Sequence, residues 1–198
     1  MKNKKTKIVF GVRPDLFSKK GWLNKRASVW ISTVLYTLIG LAVIGTLLAV
    51  AKPRIDQTRD NLVIEQTINS LNVINEKIIE ASQAAGTRLG LEFKMSKGDL
   101  TVNPLEDYIV WQMKASRYQL SEVATADEFQ ELGILKVQTK KTGDKYDITI
   151  KLELKDRVNI VTDNNQNLQL QKSTTPYKFW IENIGGNIGE MPQIKIYV

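Results

Sequence analysis

Residues 27–51 read ASVWISTVLYTLIGLAVIGTLLAVA, a run of 25 residues without a formal charge. As a helix this run would be about 37 Å long, which exceeds the roughly 30 Å hydrocarbon core of a bilayer. The apolar part of an ordinary secretory signal has only about 7–15 residues, and helices buried in soluble proteins rarely run this far without a charge. The run therefore predicts a transmembrane helix at residues 28–51.

The positive charge of the chain is concentrated ahead of that helix. The formal net charge is +7, but residues 1–27 hold nine Lys or Arg and one acid, whereas the rest of the chain holds 19 basic and 20 acidic residues. A nucleic-acid-binding protein would carry its basic residues on a folded face, so we expect no nucleic-acid partner. By the positive-inside rule, residues 1–27 are a basic cytoplasmic leader, and the chain beyond the span lies outside the cell.

Helical periodicity resumes beyond Pro53 and predicts that the long helix covers residues 28–86. Pro53 removes a backbone donor, so a kink or local break is expected there. Gly86 and Gly90 are expected to stop the helix. Beyond Pro53 the apolar residues recur mostly at steps of three and four, and Asn75 interrupts a seam of Ile64, Ile68, Leu71 and Ile78. This seam is either an assembly face or the surface that packs on the chain's own β domain.

The pattern changes to the two-residue period of β-strands in residues 87–198. In the clearest strand, Tyr146–Lys155, every even-numbered residue is apolar and every odd-numbered residue is polar, which is typical of a half-buried antiparallel strand. Lys140–Asp144 is a turn signal that joins this strand to Ile134–Thr139 in a hairpin. Other strands are expected at Leu91–Met95, Leu100–Val102, Tyr108–Lys114, Val158–Val161, Leu168–Gln171, Tyr177–Ile184 and Ile194–Val198.

The fold class predicted from these patterns is α+β. Short strands separated by turn signals suggest an antiparallel β-sandwich that follows the long helix. The stretch Ala126–Leu132 reads as one helical turn.

The sequence offers little for catalysis. It contains no His and no Cys, which removes His-based acid–base catalysis, catalytic triads and the commonest transition-metal ligand. Asp144, Asp147 and Asp163 lie in or beside turns, where Asp usually just forms the turn, whereas calcium needs six to eight converging oxygens. We therefore expect a protein that is not an enzyme, with no cofactor, no metal site and no small-molecule substrate.

The order of the segments resembles the type IV pilins, particularly the archaeal pilin and flagellin-like subunits that carry a class III signal peptide. The resemblance rests on a basic leader, an apolar-then-amphipathic helix and a C-terminal β domain, and on Lys25–Ile31, which looks like a processing site. It implies that a membrane-embedded prepilin peptidase cuts between Ala27 and Ser28, with Arg26 and Val29 beside the cut. This match covers residues 20–85, and the β domain adds a general likeness to Ig-like domains.

The resemblance further implies that mature subunits leave the bilayer and assemble into a homopolymeric surface filament, with the helices inside and the β domains outside. The filament would serve adhesion or related surface work. We expect the helix assembly face to consist of Gly40, Ala42, Gly45, Thr46, Ala49, Ile64, Ile68, Leu71 and Ile78. Small residues permit close helix approach. Two positions depart from the bacterial pattern, because Ala27 replaces the usual Gly, and Ser32 occupies the fifth mature position, where many pilins have Glu. The archaeal resemblance accommodates both departures, because archaeal processing enzymes accept Ala before the cut and archaeal subunits often lack this Glu.

A second hypothesis remains open at this point. The apolar helix alone is a sufficient anchor, so the chain could be a permanently membrane-anchored binding module whose extracellular β domain does not polymerise. Both hypotheses begin with a single-pass membrane protein. Only the first expects an extracellular filament when the protein is mature.

Overall fold

A computed structural model describes residues 21–123, 128–186 and 191–198 of the chain. The chain divides into two compact units, Met1–Ala51 and Lys52–Val198. The helix α1 (Gly21–Ser82) contributes its first part to the first unit and its last part, from Lys52, to the second. The α+β class predicted from the sequence is confirmed, because one long helix precedes sheets made mostly of antiparallel strand pairs.

The second unit contains the described strands, which form two sheets. In chain order the strands are β1 (Arg88–Phe93), β2 (Asp99–Asn103), β3 (Tyr108–Ser116), β4 (Gln130–Leu132), β5 (Leu135–Thr142), β6 (Lys145–Glu153), β7 (Asn159–Val161), β8 (Leu168–Gln171), β9 (Tyr177–Gly185) and β10 (Gln193–Tyr197). Sheet A has the order β1-β9-β10-β7, and sheet B has the order β4-β5-β6-β3-β2-β8. Between β10 and β7 the pairing is parallel, and the other described pairs are antiparallel.

The hairpin expected around residues 134–155 is present as β5 and β6, which pair from Leu135 opposite Leu152 to Thr142 opposite Lys145. Gly143 has a φ of 65° in the connecting turn, a conformation that glycine adopts without a steric penalty. In β6 the residues Ile148, Ile150 and Leu152 are buried, whereas their odd-numbered neighbours are half-buried. The period-2 prediction is therefore confirmed for this strand.

Two local predictions were wrong. Residues 130–132 form β4 and not a helical turn, because they pair with β5; Ala126 and Asp127, the start of that predicted turn, lie outside the described residues. Gly90 lies inside β1 and does not stop the helix. The helix α1 continues through Pro53, so of the kink or local break expected there, the break is absent.

The second unit has a single cluster of buried side chains that combines the helix with both sheets. Leu71, Ile74 and Ile78 come from α1, Phe179 from sheet A and Trp111 from sheet B. Each is at most 1% exposed. The part of α1 beyond Lys52 is therefore a structural component of the β unit, and the periodicity that begins after Pro53 records this packing.

The chain turns from the helix into β1 with the help of strand β9. Gly86, with a φ of 80°, donates its N–H to the Asn183 carbonyl at 2.8 Å. The Asn183 side chain donates to the Ala81 carbonyl at 2.9 Å. Because one buried asparagine satisfies groups of both the helix end and the turn, it fixes where the chain leaves the helix.

Candidate functional site

The apolar part of α1 presents its side chains to the surroundings along its described length. Among the described residues, one helix, Val29–Ser82, is long and apolar enough to be a candidate membrane span. In its most apolar 18-residue stretch no residue is buried. The large side chains Leu35, Leu41 and Leu47 are 54–63% exposed. Large contiguous apolar surfaces of this kind are rare on soluble proteins and indicate contact with lipid or with another apolar surface.

Hydroxyl groups within the apolar part are satisfied by the helix itself. Thr33, Thr37 and Thr46 each donate to the carbonyl four residues earlier, at 2.8–2.9 Å. In lipid no water is available to bond such groups, and an unsatisfied polar group is costly there. The threonines are therefore compatible with a surface that is kept away from water.

The small residues predicted for the assembly face do not all share one side of the helix. At 3.6 residues per turn, Ala42, Gly45, Thr46 and Ala49 fall on the same side, whereas Gly40 falls on the opposite side. A Cβ atom added to Gly40 or Gly45 would meet nothing within 4 Å. Both glycines thus leave open surface, but only the one at position 45 belongs to the small-residue face.

The second half of the predicted assembly face needs correction. Ile64, Leu71 and Ile78 are buried in the core of the Lys52–Val198 unit, and Ile68 is partly buried against that core. These side chains already have partners within their own chain, so they are not available to a neighbouring helix while the unit is folded. Of the two alternatives for the seam, the structure has the one in which it packs on the β domain.

The predicted processing residues lie in the N-terminal part of α1. Arg26, Ala27 and Ser28 lie within α1, but their side-chain surroundings are not among those the structure describes. Val29, the first residue after them, is 67% exposed.

A buried carboxylate attaches α1 to the sheets. Asp60 is 4% exposed. Its Oδ1 accepts a hydrogen bond from the Lys97 ammonium at 2.6 Å, and its Oδ2 accepts one from the backbone N–H of Arg117 at 2.7 Å. The Lys97 carbonyl in turn accepts from the Trp111 indole N–H at 3.1 Å. One chain of hydrogen bonds therefore links the helix, the β1–β2 connection and strand β3.

Asp60→Ala is expected to lower the free energy of unfolding by about 1.5–3 kcal/mol, because it removes a charged acceptor from two donors. Asp56→Ala is the matched control, since Asp56 is half-exposed and its carboxylate lies 3.6 Å from the Arg117 guanidinium; it should cost less than about 1 kcal/mol. Denaturant unfolding of the full chain followed by circular dichroism measures both. Equal losses for the two variants would contradict the role given to Asp60.

Sequence reasoning missed Asp60, although a signal was present. Asp60, Ile64 and Leu71 share one helix face, so an acid at this position interrupts an apolar stripe. Asn75 interrupts the same stripe; it is 5% exposed, and its Oδ1 has no hydrogen-bond partner among the described residues. Polar residues on the buried face of the helix were therefore the feature to examine.

A cleft with a volume of about 640 Å³ lies at the β4–β5 turn and the end of β6. Its acids and bases largely compensate one another. The Glu153 carboxylate accepts from the Lys136 ammonium at 2.5 Å and from the Lys151 ammonium at 3.0 Å. The hydrogen bond from Lys136 lowers the pKa of the Glu153 carboxyl below its usual value. This arrangement holds the Glu153 carboxylate in two ion pairs.

The turn carboxylates considered as calcium ligands have protein donors as partners. Asp147 accepts from the Ala115 N–H at 2.9 Å and from the Thr142 hydroxyl at 3.0 Å. Asp163 forms an ion pair with Lys195 at 2.8 Å. Among the described residues, no three His, Cys, Asp or Glu side chains converge in a way that could hold a metal ion.

Comparisons of the chain with protein-family models, with curated proteins and with solved structures find no match.

Proposed function

We propose that the chain is a pilin-like structural subunit of an archaeal-type type IV pilus or a related surface filament. The observation that carries the proposal is the exposed apolar surface of residues 29–51 on the same helix that, beyond Lys52, forms part of the β-unit core. A plain anchor does not require this second role of the helix.

The size of the exposed surface sets a physical requirement. Burying one large aliphatic side chain is worth about 1.5–3 kcal/mol, and most side chains between Val29 and Val50 are large, apolar and exposed. Their sum is on the order of tens of kcal/mol. The segment must therefore lie in lipid or against other apolar helices, and copies of the same segment are available partners.

Moving the apolar helix from lipid to a contact with other apolar helices buries no additional apolar surface from water. Lipid is about as apolar as leucine, so helix association depends on close packing. The face of Ala42, Gly45, Thr46 and Ala49 permits such an approach. The buried residues Ile64, Leu71 and Ile78 take no part in these contacts.

The remaining parts of the proposal rest on the basic leader for the orientation and on the resemblance to type IV pilins for processing, release and adhesion. Its nine Lys or Arg residues keep the N-terminus in the cytoplasm by the positive-inside rule, and a prepilin peptidase removes residues 1–27 before assembly. The subunits then leave the membrane and work outside the cell, in adhesion. We also propose that sheets A and B are the layers of an Ig-like sandwich, which their shared core supports.

Ala27→Leu is expected to block processing, because a bulky side chain replaces the small residue before the cut. The variant should keep residues 1–27, remain in membranes and be lost from sheared extracellular filaments. Ala27→Gly is the matched control and should be processed and assembled. Immunoblots of the membrane and sheared fractions measure both variants.

The second candidate function is a membrane-anchored binding module. It is favoured by the outer face of sheet A, where the Arg88 guanidinium lies 4.5 Å from the centroid of the Trp180 ring and 5.4 Å from that of Tyr197. Aromatic and arginine side chains are common at binding surfaces. Wild-type protein found in membranes and absent from sheared filaments would favour this module and contradict the filament.

A further inference from the structure

Strand β1 is the longest edge strand among the described strands. It is the end strand of sheet A, pairs with β9 through all six residues, and contains no Pro. The other end strands are shorter: β7 and β4 have three residues, and β8 has four. In addition, the Ile160 N–H of β7 donates to the Asp107 carboxylate at 2.6 Å. Long regular edges are templates for pairing with another strand.

The residues of β1 alternate between two chemically different faces. Leu89, Leu91 and Phe93 point toward the core, whereas Arg88, Gly90 and Glu92 lie on the outer face and are exposed. Gly90 is required here because a Cβ atom would lie 2.8 Å from the Trp180 ring. Along its outer face the strand therefore presents a basic side chain at Arg88, no side chain at Gly90 and an acidic side chain at Glu92.

We propose that β1 pairs antiparallel with β1 of a second copy, about a two-fold axis at Gly90. In this register Arg88 faces the partner's Glu92, Leu89 faces the partner's Leu91, and the two glycines face each other. A two-fold axis repeats each pair, so both ends of the contact have opposite charges. The contact extends sheet A across two copies.

Neighbouring registers lack this complementarity. An axis at Leu91 places Arg88 opposite the partner's Lys94, which sets like charges against each other. An axis at Leu89 places Arg88 opposite the partner's Gly90 and leaves its charge without an opposite one. The sequence of β1 therefore specifies one register, in the way that side-chain patterns normally fix strand pairing.

In the proposed pair, the α1 helices of the two copies run in opposite directions beyond Lys52. The last part of α1 runs opposite to β1, because Asp60 contacts Lys97 beyond the end of β1 while Ala81 contacts Asn183, whose backbone bonds Thr87 just before β1. The two-fold axis makes residues 52–82 of the two copies antiparallel. A test therefore needs copies that rotate freely, as in detergent, and the inference does not depend on filament formation.

The direct test uses the full chain in detergent and two single variants, Arg88→Cys and Glu92→Cys. The natural sequence has no Cys, so only the introduced thiols can react. In the mixture the two thiols face each other, with Cα atoms about 4.5–5.5 Å apart, within the range of a disulfide. The other end of the contact keeps its Glu92–Arg88 pair. In either variant alone the thiols are four residues apart along the strand, about 13 Å.

We expect mild oxidation to give at least ~10-fold more disulfide-linked dimer in the mixture than in either variant alone, because thiols beyond bonding range cannot form the disulfide without backbone movement. An Arg88→Cys and Lys94→Cys mixture is the register control and should stay at background. No dimer in the first mixture, equal dimer from a single variant, or stronger cross-linking in the control would each overturn the proposal.

A second measurement avoids cysteine and any loss of the Arg88–Trp180 contact. Sedimentation in density-matched detergent should show a concentration-dependent dimer for the natural chain and its loss for Glu92→Lys, which places Lys opposite the partner's Arg88. Circular dichroism checks that Glu92→Lys is folded. A natural chain that stays monomeric, or a folded Glu92→Lys variant that still dimerises, would overturn the proposal.

Discussion

Replacing Leu71 by Ala is expected to lower the free energy of unfolding of the Lys52–Val198 unit by about 2–5 kcal/mol. Leu71 lies in α1, yet it is fully buried among side chains of both sheets. Truncation removes buried methyl groups and leaves a cavity that the surrounding strands fill only in part. Denaturant unfolding of the full chain, followed by near-ultraviolet circular dichroism, measures the loss.

Leu62→Ala is the matched control for that prediction. It makes the same change in the same helix, but Leu62 is 50% exposed, so its effect should stay within about 0.5 kcal/mol. If both variants lost the same stability, the burial of Leu71 would not account for its effect. If neither lost any, the helix would unfold independently of the sheets.

Trp111→Ala is expected to cost about 3–5 kcal/mol, the other large effect. Trp111 is fully buried in β3, and its indole N–H donates to the Lys97 carbonyl at 3.1 Å. Gly98, with a φ of 79°, packs so closely that a Cβ atom would lie 2.6 Å from the indole nitrogen. The turn at Lys97 and Gly98 packs directly against the indole ring. The Ala variant therefore loses both this packing and the hydrogen bond to the Lys97 carbonyl. In thermal unfolding, the melting temperature should fall by about 2–4 °C for each kcal/mol of stability lost.

Trp111→Phe separates the two contributions. It keeps most of the buried ring area but leaves the Lys97 carbonyl without its donor, which should cost about 1–3 kcal/mol. The expected order of stability is natural chain, Trp111→Phe, Trp111→Ala. A Phe variant as unstable as the Ala variant would show that the hydrogen bond, and not packing, dominates at this position.

The elements that sequence predicts well are those with a local pattern. The apolar run at residues 27–51, the helical period after Pro53 and the alternation in β6 each depend on neighbours within a few residues. These patterns predicted the helix, the hairpin and the α+β class. The seam of Ile64, Leu71 and Ile78 is also local, but its partner is not, since packing on a sheet and packing on another helix produce the same period.

The elements that sequence could not predict depend on contacts between distant residues. Gly90 looks like a helix stop because the Trp180 ring that requires it lies far along the chain. The strand β4 has no alternation of its own, and pairing with β5 makes it a strand. The parallel pairing of β10 with β7 likewise has no local signature, because strand order is decided by the whole core.

The candidate functional site likewise has features that local sequence patterns predict and features that depend on distant residues. The apolar part of α1 was predicted from composition, and helix geometry alone removes Gly40 from the small-residue face. The attachment of the helix through Asp60, Lys97 and Arg117 needs residues from three separate segments, and only the acid carried a signal in the sequence. Buried polar residues on an apolar stripe are thus the cue that connects this helix to its own domain.

The central claim of a processed filament subunit is tested most directly by the intact mass of the native protein. We expect a mature chain of residues 28–198, beginning at Ser28, to be recovered from sheared extracellular filaments. A full-length chain that still begins at Met1 and remains in the membrane would contradict it.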